Sequence, residues 1–185
     1  MKKIILIFII FSSLTFAYGF AGGKAFASGG SLSINDSPDV KITTVENSGF
    51  YFEFYPKKLD VVEAGIGIKY NNYLEKSTDD IVAYVGTVYG VARFFWDVYN
   101  FTPFLQFKAG YPYAIDGKYM KDYKSGVNNN LKGQAYASAG IGTQLFYVDL
   151  SLNYEWNGFN LASDSWVGDK DVSQSTFSIN LGFKY

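Results

Sequence analysis

Apolar and polar residues alternate with a period of two along most of the chain, the signature of strands with one apolar and one polar face. In residues 148–156, Val148, Leu150, Leu152, Tyr154 and Trp156 share one face, and Asp149, Ser151, Asn153 and Glu155 share the other. The C-terminal run sets Phe177, Ile179, Leu181, Phe183 and Tyr185 against Ser178, Asn180, Gly182 and Lys184. Residues 62–70, 50–55, 103–111 and 137–145 follow the same rule. Residues 81–94 fit it once Arg93 is placed off the apolar face. The first strand, about 20–34, is the least regular: Lys24 has the parity of Leu32 and Ile34, which calls for a bulge between them or for Lys24 at a boundary. The pattern predicts eight strands and no helix with an apolar stripe.

The connections alternate as well. Residues 56–60, 95–101 and 146–147 are short, whereas 35–42, 71–80, 112–133 and 157–175 are longer and rich in Asn, Asp, Ser, Gly and Lys. Strict alternation of tight turns with long loops is the plan of an up-and-down transmembrane barrel, with the tight turns in the periplasm. Met1, Lys2 and Lys3 precede an apolar run at 4–11, too short for the about 20 residues that span a bilayer as a helix. Small residues follow at Ala17 and Gly19, so residues 1–19 are expected to be a signal peptide cleaved after Ala17 or Gly19, and 20–185 the exported barrel.

Period two alone does not say which face meets which solvent. A soluble barrel or a sandwich buries its apolar faces, whereas a membrane barrel turns them to lipid. The polar faces here are crowded with Gly, Ser and Ala, which suits the narrow interior of an eight-stranded barrel. Aromatics gather at the ends of the apolar faces: Tyr70, Tyr111, Tyr154 and Trp156 at one end, and Phe54, Phe94, Phe183 and Tyr185 at the other. The expected fold class is therefore all-β, an eight-stranded antiparallel up-and-down transmembrane β-barrel.

Composition narrows the chemistry. The 185 residues carry 16 basic and 17 acidic side chains, a net charge of −1, so no field for nucleic acid is implied. Charged residues make up 18% and aromatic residues 19%, which excludes a disordered chain. With no Cys there is no disulfide, thiolate or acylated-Cys anchor; with no His the commonest general base is missing. No enzyme and no cofactor or metal are expected. Residues 164–171, DSWVGDKD, hold three carboxylates but lack calcium-loop spacing, and a solvated loop is the better account. The glycine-rich pieces GFAGGKAF and AGIG lack a strand-to-helix junction and a Gly-Lys-Ser/Thr ending, so they are strand glycines and no phosphate cradle.

The inward parity collects Glu53, Glu63, Lys69, Arg93, Lys108, Asp149, Glu155 and Lys184, four acids and four bases. Counting back through the 56–60 turn sets Glu53 opposite Glu63, and the Arg93 fork is expected to serve both. A proton-sharing dyad is the catalytic reading of that pair; a structural ion cluster of Glu53, Glu63, Arg93, Lys108, Asp149 and Lys184 is the preferred one. In the 112–133 loop, Tyr113, Tyr119 and Tyr123 are interleaved with Lys118, Lys121 and Lys124, the lysines beginning just after Gly117. This stretch is a candidate external contact surface for ligands or for lipopolysaccharide head groups.

Residues 136–156, YASAGIGTQLFYVDLSLNYEW, resemble the penultimate hairpin of small barrels of the outer membrane protein A family, and 102–111, TPFLQFKAGY, resemble its Pro-aromatic strand opening. The ending FSINLGFKY resembles the terminal signal read by the barrel assembly machinery, carried by Phe177, Ile179, Leu181, Phe183 and Tyr185. The founding member continues into a peptidoglycan-binding domain; this sequence stops at Tyr185, so the expectation is of the single-domain outer membrane protein X type. The resemblance implies an integral outer-membrane protein with a structural or surface-interaction role through four external loops. The alternative is a small-solute or hydrophobic-molecule conduit of the outer membrane protein W type. The implied partners are outer-membrane lipid and lipopolysaccharide, the assembly machinery during insertion, and host or other surface ligands.

Overall fold

The computed structural model describes residues 19–34, 40–45, 48–59, 61–75, 81–96, 98, 101–116, 130–162 and 170–184. Nine strand elements run β1 (Gly19–Ile34), β2 (Val40–Val45), β3 (Ser48–Leu59), β4 (Val62–Glu75), β5 (Ile81–Phe95), β6 (Thr102–Asp116), β7 (Asn130–Leu145), β8 (Val148–Ala162) and β9 (Lys170–Lys184). They make eight staves. β1 pairs with β3 from Gly19↔Tyr55 to Phe26↔Ser48, then with β2 from Gly30↔Thr44 onward. β4 pairs with the same two pieces on their other side, so β2 and β3 are the halves of one stave. All pairings are antiparallel, and β9 closes on β1 from Ala21↔Lys184 to Ile34↔Val172. Closure removes the free edges that would otherwise template aggregation.

The full-length staves run 14–16 residues, more than the about 9–11 that cross a bilayer when tilted. The surplus corrects the expected loops. Residues 40–42, 71–75, 112–116, 130–133, 157–162 and 170–175 were expected as loop and are strand. Their Asn and Ser content reads as loop chemistry, yet a closed barrel keeps the ladder running past the apolar belt. The short connections at 60–61, 96–101 and 146–147 all lie at one end. Leu145 pairs with Val148, so Phe146 and Tyr147 form a two-residue turn in which Phe146 has φ 54°, a position that glycine usually fills.

Register shifts interrupt the ladders and bend the staves. One lies between Ser28 and Gly30 on β1, which places the expected bulge between Lys24 and Leu32. Another, between Phe54 and Lys57 on β3, overturns a pairing expected from the sequence. Glu53 faces Gly67 and Glu63 faces Lys58, so the two carboxylates are not opposite each other.

Below the bulges the period-two faces separate cleanly. Ile66 (66% exposed), Phe183 (63%) and Leu152 (47%) stand on the outer wall, while Glu53, Gln106 and Asn153 are fully buried inside. Among the described residues the buried set is mostly polar and charged, the inverse of a soluble core. The interior is tight. A Cβ on Gly67 would come within 2.6 Å of the Tyr89 ring and 2.9 Å of Glu53 Cγ, so glycine there makes room for larger neighbours.

Candidate functional site

The alternation that turns apolar side chains outward brings the eight charges expected inside into one narrow lumen. All eight, Glu53, Glu63, Lys69, Arg93, Lys108, Asp149, Glu155 and Lys184, are buried. They pair across the interior. Nearest the short-turn end, Lys184 on β9 bonds to Glu63 on β4. Beside them Arg93 on β5 forks, Nη1 donating to Asp149 Oδ2 on β8 at 2.6 Å and Nη2 to Glu53 Oε2 on β3 at 2.8 Å. The expected fork to Glu53 and Glu63 is thus corrected to Glu53 and Asp149. The β3 bulge shifts Glu53 along its strand, and Glu63 finds Lys184 instead.

Glu53 is the most heavily engaged carboxylate. The Tyr55 hydroxyl donates to Oε2 at 2.6 Å and the Tyr89 hydroxyl to Oε1 at 2.9 Å. Lys108 Nζ on β6 pairs with Oε1 at 2.7 Å. At mid-height Gln106 Nε2 donates to Ser151 Oγ at 3.0 Å and also to Asn153 Oδ1, and Asn153 Nδ2 donates to the same serine at 3.1 Å. Farther from the short turns, Lys69 on β4 bonds to Glu155 on β8, and Ser178 Oγ donates to the same Glu155 oxygen at 2.6 Å. β4 and β8 are four staves apart, diametrically opposite, so this pair spans the full bore. Above it Asn157 donates to Gln174 at 2.9 Å.

Aromatic rings cap the cations, a feature the sequence reading missed. The Arg93 guanidinium lies over the rings of both Phe104 (4.7 Å) and Tyr55 (5.0 Å). Lys184 sits over Phe95 (4.8 Å) and Tyr55 (5.0 Å), and Lys108 over Tyr89 (5.0 Å) and Tyr51 (5.6 Å). A ring face attracts a cation most where water is excluded, so Arg93, Lys108 and Lys184 each have an electrostatic partner besides their carboxylates. The available signal was parity: Tyr51 and Tyr55 flank Glu53, Tyr89 shares the face of Arg93, and Phe104 shares that of Lys108.

Chemically, each of the four lumen carboxylates already has a cation against it. The arrangement ties walls together and fills space. No group of three or more His, Cys, Asp or Glu side chains that could hold a metal occurs among the described residues. Asp171 of the weighed calcium loop belongs to β9 and accepts from Gln134 at 3.3 Å.

The other predicted residues lie apart from the lumen. Phe177, Ile179, Leu181 and Phe183 are exposed on the outer wall of β9; Tyr185 is outside the described residues. Tyr113, expected in a loop, is in β6 and 58% exposed; it is the residue passed over where the β5–β6 register shifts, and pairing continues beyond it from Gly86↔Ala114 to Tyr84↔Asp116. Gly117, Lys118, Tyr119, Lys121, Tyr123 and Lys124 fall outside the described residues, as do residues 1–18 of the expected signal peptide 1–19, whose last residue, Gly19, opens β1.

No protein-family model and no curated protein matches the sequence. Solved structures do match its shape. The outer membrane protein OprG from Pseudomonas aeruginosa superposes with a TM-score of 0.50 at 14% identity, over 91% of this chain and 96% of that one. Neisserial surface protein A superposes with a TM-score of 0.50 at 13% identity, over 90% and 97%. At such identities the likeness is one of fold. With its closed antiparallel topology, apolar exterior and charged lumen, the chain has the fold of the small eight-stranded outer-membrane β-barrels.

Proposed function

We propose that the protein is an integral outer-membrane barrel with a non-catalytic role in the structure of the membrane or in contacts made at the cell surface. Its lumen is closed by the ion network, and it reaches the membrane through the N-terminal signal segment. The observation that carries this reading is the inversion of the core, with ion pairs inside and Ile, Leu and Phe side chains outside. Such a wall is stable only when hydrocarbon covers it. The likeness to outer-membrane barrels in fold supports the location. The surplus strand length at the long-connection end supports a presented surface, on which Tyr113 already stands exposed.

A conduit for apolar solutes requires a continuous apolar lumen, and pairs that cross the bore from β4 to β8 and β9 oppose it. Cell fractionation tests the reading. The protein should partition with the outer membrane, and unboiled and boiled samples should migrate differently on a denaturing gel. Recovery as a soluble periplasmic monomer would overturn it.

A further inference from the structure

The apolar wall is not uniform. On the side formed by β3–β6 it carries a groove of about 480 Å³, bounded by Phe52 and Phe54, Ile66 and Ile68, Val88 and Tyr111. The groove exists because Gly90 presents no side chain between its larger neighbours on adjoining staves. Its outward row reads Phe54–Ile66–Gly90–Ala109, below the row Phe52–Ile68–Val88–Tyr111. Nothing crowds Gly90: a Cβ there would meet only backbone oxygens, at 3.8 and 3.9 Å. The gap is therefore not imposed by packing inside the barrel.

The next row toward the long-connection end reads Lys24–Phe50–Tyr70. Lys24 is exposed on the outer wall beside Phe50 (58% exposed) and Leu181 (47%). The other Lys and Arg residues whose side chains are described are buried in the lumen, so Lys24 is the one outward-facing cation among the described side chains. A lysine in an apolar belt turns its ammonium toward the interface. Here Nζ lies 5.9 Å from the ring centre of Phe26, two residues along β1 toward the long-connection end. Phe50 and Tyr70 stack beside it, with centroids 5.6 Å apart.

Lys24 stands on the neighbouring stave one row beyond Phe52 at the groove's edge, and a single positive charge placed so, next to an otherwise apolar groove, is complementary to one kind of molecule, an anionic head joined to a hydrocarbon chain. We propose that this wall binds one lipid of the external leaflet whose phosphate-bearing head is net anionic, its phosphate at Lys24 and one acyl chain in the groove floored by Gly90. The site rests on the membrane reading above. It assigns Lys24, an unfavourable residue for a lipid-facing wall, a specific partner. The acyl chain supplies the apolar contact that Gly90 withholds from the bilayer, and the charge selects which lipid stays.

The test is native mass spectrometry of the barrel released from mixed micelles holding equal amounts of dioleoylphosphatidylglycerol and dioleoylphosphatidylcholine. The wild type should retain one phosphatidylglycerol at least about fivefold over phosphatidylcholine, an energy difference of about 1 kcal/mol. Lys24→Gln should abolish that preference, and Gly90→Leu, which fills the groove without an inward clash, should lose both adducts. Both variants should keep the heat-dependent gel shift of the folded barrel. Glycerol 3-phosphate alone should leave no adduct, which separates a lipid site from a phosphate site. Equal retention of the two lipids by the wild type, an undiminished preference in Lys24→Gln, full retention in Gly90→Leu, or dimers in place of lipid adducts would each overturn the proposal. A wild type that inserts into vesicles but shows no preference removes this site alone; one that fails to insert removes the membrane reading with it.

Discussion

Replacing Arg93 with methionine removes the fork that joins Asp149 to Glu53, and the two carboxylates do not suffer equally. Glu53 keeps Tyr55 at 2.6 Å, Tyr89 at 2.9 Å and Lys108 at 2.7 Å. Asp149 keeps much less. Its Oδ2 loses the 2.6 Å bond, and its Oδ1 has no hydrogen-bond partner among the described residues. The side chain is 2% exposed, so water cannot readily replace the guanidinium. Removing one member of a buried ion pair costs about 3–5 kcal/mol, most of it the penalty of the stranded charge. Methionine refills much of the space beside Tyr55 and Phe104, so a cavity adds little. Neutralising the stranded partner should then recover stability: Arg93→Met with Asp149→Asn should lie within about 1–2 kcal/mol of the wild type, a recovery of about 2–3 kcal/mol relative to Arg93→Met alone. Equilibrium urea unfolding of the barrel in lipid vesicles, followed by the heat-dependent gel shift, measures both. An Arg93→Met barrel within about 1 kcal/mol of the wild type, or an Asp149→Asn change that deepens the loss, would refute the reasoning.

Two further perturbations address the wall and its closure. Leu152 is 47% exposed on the outer face; Leu152→Arg should cost about 2–4 kcal/mol of stability in vesicles, whereas Leu152→Phe should be nearly neutral, and equal tolerance of the two would mean that this face does not meet lipid. Deleting residues 183–185 removes Phe183, which pairs with Val148 and Gly22 at the closing seam; outer-membrane levels should fall while export continues, and normal levels of the truncated protein would count against an assembly role.

How much of this was legible in the sequence depended on how local each property is. Strand faces were legible because a two-residue period is set by neighbouring residues: Val148 through Trp156 declare both faces without reference to any other strand. The inward parity of seven of the eight charges followed from the same rule, whereas that of Arg93 was set by keeping its charge off the apolar face. Strand ends were not legible, because Asn71, Asn72, Asn157 and Asn160 carry loop chemistry while the closed ladder holds them in strands. Pairing was the least accessible property. A bulge between Phe54 and Lys57 displaced Glu53 from Glu63. The partner of Glu63 is then Lys184, 121 positions away in sequence, a choice made by barrel shear and tilt. The aromatic caps on Arg93, Lys108 and Lys184 were visible as shared parity but not as contacts, for the same reason.

The central claim is that the ion network closes the lumen, and electrical recording across a planar bilayer tests it most directly. Eight staves leave an interior that side chains can fill, and here the filling is a column of pairs from Lys184–Glu63 through Arg93–Asp149 to Lys69–Glu155. The purified wild-type barrel, with insertion verified by its gel shift, should give no steady single-channel conductance. Steady ohmic channels from the wild type would contradict the closed lumen and return the conduit reading to first place.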